Sequence, residues 1–441
     1  MSAVDKCFQR SNTPIPLKWL LSIAAVSLIV RLACMLLLQS WEFEDEWAFG
    51  HEMGAIGKWL ALGEGFSQDG TSPTAKSPPV YPLLVAVFFY TFGVYSKSAA
   101  VGLIAFQSLC SAGVAVCLAN LGSRLFSRTA GIIAGLIWAF YPTSIFYSVV
   151  HIWYCELALL FLALCVTIAL TTGECISYRR MALLGALSGF TILIDSTLAL
   201  YLPLLLLWML VTRRVQLSRF IRLSAIWGMT AVVVLSPWMI RNGRTIGSFQ
   251  FLKSNFGLEL FVGNSSVSSG RDSHAKAQPT FATLDQQELA FYKTQPQAVY
   301  YRYLRDKAIE WVRRHPVDFL LLTARRVWYF WVFNPSLGWG SWLRLSYFGT
   351  FLVIALYGLG YGIRHWRDVM PIWLFLLVYP LPYYLTNMAH GRYSYPVEPF
   401  VVLLAAISVT LWLKRKAPPS VVADTGRSKT SNPSAELLNA K

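Results

Sequence analysis

Acidic side chains are concentrated directly after the first long apolar stretch of the chain. Glu44, Asp45 and Glu46 are consecutive, and Glu52 follows a few residues later. A helix that begins near Asp45 would place Asp45 and Glu52 on one face. A carboxylate near the lipid boundary can act as a general base, and clustered carboxylates can also hold a divalent metal ion. The alternative is a solvated helix start, because acids favour the first helical turn.

Basic side chains that suit a phosphate group lie in three later segments. Lys76 belongs to the sequence TAKSPPVYP, whose prolines predict a stiff, extended entry into the next apolar helix. Arg241 and Lys253 lie at the start of a long polar segment, and Arg392 lies in a short turn near the C-terminus. Such residues beside a bilayer suit the phosphate of a lipid-linked substrate. The alternatives are a simple helix-entry turn at the prolines and attraction to bulk anionic headgroups.

Three further polar residues lie in or beside apolar stretches. Arg31 interrupts the first one, where an arginine is usually paired or faces a cavity, unless it snorkels to the interface. Asp195 lies at a predicted turn, where it caps a helix as readily as it serves chemistry. A lone histidine such as His151 favours a structural role. The seven cysteines show no CxxC spacing, which argues against a zinc site or disulfides.

The composition indicates the kind of molecule that must position these residues. Of 441 residues, 55% are hydrophobic and only 14% are charged, against about 25% in soluble proteins. The apolar residues form blocks of about 20, the length of a bilayer-spanning helix. The chain is therefore predicted to be a polytopic membrane protein. Its net charge of +16 reflects basic cytoplasmic loops and does not indicate nucleic-acid binding.

The alternation of basic and acidic loops predicts ten crossings with both termini inside. Residues 1–16 form the cytoplasmic N-terminus, 17–239 a transmembrane module with an acidic outer loop at 40–78, 240–344 an outer region, 345–413 the last transmembrane helices, and 414–441 a disordered tail. The spans are expected near 17–39, 99–121, 129–148, 152–172, 181–195, 196–212, 221–239, 345–363, 371–388 and 394–413.

Two apolar stretches are expected to lie at the outer surface instead of crossing. Residues 79–94 are too short to span, and a crossing there would invert every later basic loop. They are predicted to form a juxtamembrane or re-entrant helix. Residues 300–331 are predicted to form one interfacial amphipathic helix, because Arg325 and Arg326 make a crossing implausible.

The sequence lacks the motifs of several common enzyme mechanisms. The sequence has no P-loop, no HExxH and no GxSxG motif. Its carboxylates and basic residues are predicted to gather at one membrane face, whereas a secondary transporter places polar groups near the midplane.

With these residues in view, the chain resembles bacterial membrane glycosyltransferases of the GT-C class, of the protein mannosyltransferase and aminoarabinose transferase kind (glycosyltransferase family 39). The resemblance covers about residues 17–413 and rests on the order of four segments. These are EFEDEWAFGHEMGAIGKWLALGEGFS, PTAKSPPVYP, SPWMIRNGRTIGSFQFLKSNFGLELFVGN and HGRYSYPVEPF. It implies an all-α GT-C fold in the bacterial cytoplasmic membrane, with an active site that faces outward.

The resemblance also implies the activity. Such enzymes pass a sugar from a polyprenyl-phosphate donor to a protein, lipid or glycan acceptor, and a single displacement inverts the anomeric carbon. The family pattern has an acid pair where this chain has three acids. Glu52 matches a glutamate in a Phe-Glu-Met-Gly setting, with His51 replacing the phenylalanine, and Lys76 stands where a tryptophan is common.

The resemblance and the residue chemistry together predict a role for each candidate. Asp45 is the predicted base, Glu44 and Glu46 compete for that role, and Glu46 and Glu52 support it by orienting the acceptor or a metal ion. Four basic residues are predicted to bind the donor phosphate and two tyrosines to line the sugar or lipid groove: Lys76, Arg241, Lys253 and Arg392, with Tyr81 and Tyr393.

Other functions remain open at this point. An O-antigen polymerase or ligase would depend on Arg and His in a large late loop, not on acids after the first span. A lipid or solute transporter would move its substrate without forming a glycosidic bond. A non-catalytic assembly partner would tolerate loss of all the outer acids.

Overall fold

A computed structural model describes residues 14–43, 46–173, 176–246, 252–266, 268, 286, 290–291, 294–332, 339–386 and 391–416. Glu44 and Asp45 lie outside these residues, so their predicted roles remain predictions. The same holds for the predicted tail beyond residue 416.

The described residues are helical, and they contain no strand beyond an isolated bridge between Ser67 and Pro73. The α-helices are α1 (Leu17–Leu38), α2 (Glu52–Ala61), α3 (Val80–Phe92), α4 (Lys97–Leu125), α5 (Arg128–Ala139), α6 (Pro142–Ile145), α7 (Cys155–Thr171), α8 (Tyr178–Ile194), α9 (Leu202–Thr212), α10 (Leu217–Thr245), α11 (Phe256–Gly263), α12 (Gln297–Arg314), α13 (Pro316–Trp331), α14 (Trp339–Tyr357), α15 (Leu359–Arg364), α16 (Trp366–Val378), α17 (Leu381–Leu385) and α18 (Glu398–Lys416). Short 3₁₀ turns are Glu46–Phe49, Ser196–Leu200, Gly391–Tyr393 and Tyr395–Val397, and Phe146–Val150 forms a π-helical turn.

The expected multi-pass membrane architecture is confirmed, but the count of ten spans is not. Among the described residues, five helical segments are long and apolar enough to cross a membrane, or six if a bent pair forms one span. The five are Leu17–Leu38, Lys97–Leu125, Leu217–Thr245, Trp366–Leu385 and Gly391–Lys414, and the bent pair is Arg128–Ala139 with Pro142–Val150. The remaining crossings stay predictions.

The centre of the bundle is formed by α4 and α18, whereas α1 and α10 lie at its periphery. Most side chains of α4 are buried, and α10 leaves large apolar residues such as Val232 and Val233 exposed, as a lipid-facing helix does. Helices α4 and α5 cross at Gly122 and Gly131, where a Cβ on Gly131 would meet the carbonyl of Ala119. Small residues at this crossing let the two backbones approach.

Buried charged side chains within the bundle have polar partners inside the protein. Arg31 is fully buried and donates to the carbonyls of Ala139 (3.1 Å) and Trp138 (3.3 Å), and to the hydroxyls of Ser27 and Ser144. It is therefore paired inside the protein, and the snorkelling alternative is wrong. A second buried pair joins Arg344 to Glu398 at 2.9 Å. Buried charges need such partners because lipid offers none.

Contacts between distant residues define two ends of the bundle. At one end, Lys97 at the start of α4 pairs with Glu42 just beyond α1, at 2.6 Å. The chain between these two residues, which includes α2 and α3, therefore begins and ends at the same end of the bundle, and the juxtamembrane placement of residues 79–94 stays a prediction. At the opposite end, Arg128 donates to the carbonyl of Pro14 at 3.4 Å, and Lys414 lies over the ring of Phe126. We call these the acidic end and the basic end.

Two helical predictions are wrong in detail. A single helix from Asp45 to Glu52 does not form, because Gly50 and His51 take positive φ values of 85° and 55°, and a new helix starts at Glu52. Gly50 packs against the carbonyl of Ile152, where a Cβ would lie only 2.7 Å away.

The predicted single helix over residues 300–331 is divided at His315. Pro316 begins α13, since a proline fits the first turn of a helix but disfavours helical geometry in the residue before it. Arg325 is exposed, as expected at an interface. Arg326 is buried and donates to the carbonyl of Tyr384 and the amide oxygen of Asn264, at 3.0 and 3.1 Å.

Candidate active site

The start of α2 carries an ion pair between two of the predicted residues. The Nζ atom of Lys76 lies 2.5 Å from Oε1 of Glu52, and both side chains are largely buried, with 10% and 24% of their surfaces exposed. Burial alone would raise the pKa of Glu52, but Lys76, His51 and Lys253 outweigh it and lower that pKa below its usual value. Glu52 is therefore an anion that fixes the ammonium group of Lys76.

The loop that presents Lys76 is fixed by a neighbouring arginine. Arg241, in the last turns of α10, donates to the carbonyls of Thr74 (2.6 Å) and Phe66 (3.0 Å). Its guanidinium also lies against the rings of Phe66 and Trp238. These contacts position the loop, so the geometry favours a positioning role for Arg241, and its contact with donor phosphate remains a prediction.

Lys253 lies in a segment that is hydrogen-bonded directly to the loop that carries Lys76. The backbone N–H of Ser254 donates to the carbonyl of Ala75 at 3.0 Å. The charge of Lys253 acts on Glu52 and also on Asp195. Two lysines of different segments therefore lie near Glu52, and such a concentration of basic groups suits a phosphate group.

Asp195 caps the turn that follows α8. Its Oδ1 accepts from the backbone N–H and the hydroxyl of Thr197, at 3.0 and 2.7 Å. Its Oδ2 is buried and accepts no hydrogen bond from the described residues. The two readings of Asp195 are thus compatible, because one oxygen caps the turn and the other is available to a further donor.

The 3₁₀ turn Gly391–Tyr393 contributes Arg392 and Tyr393 to the site. The guanidinium of Arg392 lies 4.1 Å from the ring centre of Trp153 and donates to the hydroxyl of Tyr393 at 3.2 Å. The ring of Tyr393 stacks on Tyr383, and the charge of Glu52 acts on its phenol. Burial, followed by the charge of Arg392, lowers the pKa of His151, which keeps this histidine neutral beside the arginine.

The structure thus brings together residues from five distant segments. We call this group the ionic cluster; it comprises Glu52, Lys76, Asp195, Lys253, Arg392 and Tyr393.

Two predicted residues lie apart from the ionic cluster. Tyr81 is 1% exposed, and its hydroxyl donates to Oε1 of Gln107 in the core at 2.5 Å. Glu46 is exposed, and its charge, after the effect of burial, raises the pKa of Tyr95 to about 12. The structure does not bring either residue to Glu52 and Lys76, and their predicted roles remain predictions.

Sequence reasoning missed the aromatic residues around Arg392. Trp153, Tyr154 and Tyr383 lie in apolar stretches, where they look like ordinary core residues. The Trp-Tyr pair that begins two residues after His151 was the available signal, because aromatic residues concentrate where an apolar helix meets a polar surface.

The described residues do not bring together three carboxylate, histidine or cysteine side chains that could hold a metal ion. Glu52 is engaged by Lys76, which competes with any cation for its oxygen. A divalent metal ion, which the clustered acids left open, therefore has no ligand set among these described residues.

The sequence model of the dolichyl-phosphate-mannose-protein mannosyltransferase family matches residues 76–240. No curated protein matches the sequence. The oligosaccharyltransferase AglB from Archaeoglobus fulgidus, in complex with an inhibitory peptide and a dolichol-phosphate, has a similar structure, with a TM-score of 0.52 at 10% identity over 90% of this chain and 50% of that chain. This chain has the GT-C fold. The GT-C fold expected from the sequence is therefore confirmed.

A second GT-C structure is similar over most of this chain. ArnT from Cupriavidus metallidurans, bound to undecaprenyl phosphate, matches with a TM-score of 0.49 at 14% identity, over 91% of this chain and 62% of that chain. The chain thus spans between half and two thirds of the lengths of these GT-C proteins.

Proposed function

We propose that the protein transfers a sugar from a polyprenyl-phosphate donor to an acceptor hydroxyl, with inversion, on the outer face of a bacterial cytoplasmic membrane. The observation that carries the proposal is the contact of Lys76 with Glu52, beside Lys253 and Arg392, at the acidic end of the bundle. The two GT-C neighbours hold dolichol-phosphate and undecaprenyl phosphate, which supports a lipid-linked donor.

In the proposed reaction the acceptor oxygen attacks C1 of the sugar. The bond between C1 and the phosphate oxygen breaks, and its electron pair leaves with the polyprenyl phosphate. Lys76, Lys253 and Arg392 stabilise the charge that develops on this phosphate. The outer face lacks nucleotide sugars, so the activated sugar has to arrive attached to lipid.

The acceptor proton requires a carboxylate that is not already engaged. Glu52 is a weak base, since its pKa is lowered and Lys76 occupies one of its oxygens. We therefore assign the proton to Asp45, with Glu44 and Glu46 as its neighbours, and assign Glu52 to hold Lys76. Tyr393, stacked on Tyr383, lines the sugar side of the site.

The test uses the purified full-length protein in liposomes with radiolabelled polyprenyl-phosphate sugars and an envelope extract. Wild type should move label to a new product, and Asp45→Asn should lower the rate by about a hundredfold or more. Lys76→Gln should also lose transfer, whereas Glu64→Gln, an exposed acid of the same segment, should not.

Three outcomes would contradict the proposal in different ways. Full transfer by both Asp45→Asn and Glu52→Gln would reject the carboxylate mechanism. Label that crosses the bilayer unconverted would favour a transporter. Loss of transfer in Glu46→Gln but not in Asp45→Asn would move the base to Glu46.

A further inference from the structure

A groove opens between α9 and α16 at the basic end of the bundle, opposite the ionic cluster. Its volume is about 360 Å³, and its apolar wall includes Leu204, Leu207, Met370 and Leu374. Leu207 is about half exposed, so the wall faces the surroundings of the bundle instead of its core. In a membrane protein such a wall faces lipid chains.

Two arginines line the same groove. Arg214 follows the end of α9, and Arg367 lies in the first turn of α16; both are exposed. The indole N–H of Trp208 donates to the carbonyl of Arg367 at 2.8 Å, which joins the two helices beside the groove. The groove therefore combines an apolar wall with two cationic groups.

The neighbouring charges leave this part of the surface positive. Arg213 is engaged elsewhere, because it donates to the carbonyls of Thr172 and Ala169, both at 2.8 Å. Asp368 is the nearby acid, and its charge acts on Arg213. Among the described residues named here, three arginines against one aspartate leave a net positive charge that complements a phosphate group.

The backbone at Arg214 indicates that an arginine is present there despite a conformational cost. Arg214 has a left-handed conformation with φ 50°, and it terminates α9 in a turn in which the N–H of Val215 donates to the carbonyl of Leu210 at 3.2 Å. Glycine is the favoured residue at this position of such a helix end, since a Cβ is strained there.

We propose that this groove binds one anionic phospholipid, with its phosphate between Arg214 and Arg367 and an acyl chain along Leu207 and Leu374. Basic pockets between transmembrane helices suit anionic headgroups, and a zwitterionic lipid would gain less because its own cation opposes the arginines. The site is separate from the ionic cluster, so the proposal does not rest on the proposed transfer reaction.

The test measures one-to-one lipid adducts of the full-length protein by native mass spectrometry in a neutral detergent, which removes the bulk anionic surface. The probes are dioleoyl phosphatidylglycerol, dioleoyl phosphatidylcholine and undecaprenyl phosphate. Wild type should retain phosphatidylglycerol preferentially, and Arg214→Gly with Arg367→Gln should reduce that adduct by about tenfold. The control Arg179→Gln with Arg180→Gln removes the same charge from the exposed first turn of α8 and should leave the adduct unchanged.

A stability measurement separates lipid binding from a structural role of the arginine. Without lipid, Arg214→Gly should raise the melting temperature, because glycine relieves the strain at the helix end. Added phosphatidylglycerol should stabilise wild type but not this variant. A groove-filling variant, Leu207→Trp, should also lose the adduct while both arginines remain.

The contrary results are equally definite. Equal loss of the adduct in the control, or equal retention of the two lipids by wild type, would overturn the proposal. Preferential retention of undecaprenyl phosphate over phosphatidylglycerol would also overturn it, because the groove would then be a carrier-lipid site.

Discussion

The ion pair of Glu52 and Lys76 positions a basic group in the proposed phosphate site. An ammonium group that is 10% exposed needs a compensating charge, and Glu52 supplies it at 2.5 Å. A donor phosphate would provide a second anion for the same ammonium group. The pair therefore holds the side chain of Lys76 in position before a substrate arrives.

Glu52→Gln should destabilise the protein near neutral pH by about 1–3 kcal/mol, because the ammonium group of Lys76 loses its anionic partner. The pKa of folded Glu52 is lowered, so the stability from its ionisation is present above the unfolded pKa and is lost as pH falls through the folded value. The difference in melting temperature between wild type and variant should therefore shrink below about pH 4.

The matched control for this experiment is Glu64→Gln. Glu64 is exposed in the segment that follows α2, so its removal should leave the melting temperature unchanged from pH 4 to 7. A difference between wild type and Glu52→Gln that grows at low pH would contradict the lowered pKa.

At this scale the sequence revealed which residue types could do chemistry, but not which of them meet. Lys76 and Lys253 could be selected because a basic residue beside an apolar stretch suits a phosphate. Their approach to Glu52 depends on how the intervening chain folds back, and no local pattern encodes that path. Tyr81 shows the converse case, since its sequence position suggested a groove and packing placed it in the core.

The loop before Lys76 illustrates how one element positions another. Arg241 holds two carbonyls of this loop, and the N–H groups of Thr74 and Ser254 donate to Phe66 and Ala75. The arginine provides a planar fork that a lysine cannot reproduce. If Arg241 positions the loop, its replacement by lysine should therefore loosen the loop. If only its positive charge matters, the same replacement should have no effect.

Arg241→Lys should preserve the charge but loosen the loop. Hydrogen exchange of the amides of Thr74 and Ser254 should accelerate by about tenfold, since a net hydrogen bond contributes about 1 kcal/mol. The control Arg244→Lys changes an exposed arginine of the same helix and should leave both amides protected. Unchanged exchange in Arg241→Lys would favour the alternative, in which Arg241 acts through its charge.

Helix positions were predictable where the hydropathy of a long segment determines them, as in α1 and α4. The break between the acids and Glu52 depends instead on Gly50 and His51, which both have positive φ values. A non-glycine residue with positive φ is rare, so the sequence pattern favoured a continuous helix.

At the scale of the whole molecule, composition predicted a helical membrane bundle and could not establish the number of crossings. Helix α7 and the segment Ser196–Thr212 are apolar but shorter than a bilayer requires, and the pair Arg128–Ala139 with Pro142–Val150 is bent by 52°. A helix that is too short to span the bilayer alone can lie at membrane depth when neighbouring helices cover its ends. Its own length and hydropathy do not reveal this.

The ion pair between Glu42 and Lys97 leads to a topological prediction for the whole chain. Because the chain between Glu42 and Lys97 begins and ends at the acidic end and residues 79–94 are predicted not to cross, a cysteine at Glu64 and one at Ser98 should face the same side of the membrane. A cysteine at Arg180, in a basic loop, should face the other side. All three native residues are exposed, so the substitutions should not disturb the fold.

The measurement is labelling of intact bacterial cells with a membrane-impermeant maleimide, in a background with the seven native cysteines replaced by alanine. Glu64→Cys and Ser98→Cys should react in intact cells, and Arg180→Cys should react only after permeabilisation. Reaction of Glu64→Cys and Ser98→Cys from opposite sides would mean that α3 crosses the membrane. Reaction of Arg180→Cys alone in intact cells would place the ionic cluster on the cytoplasmic face, where a lipid-linked sugar would no longer be the required donor.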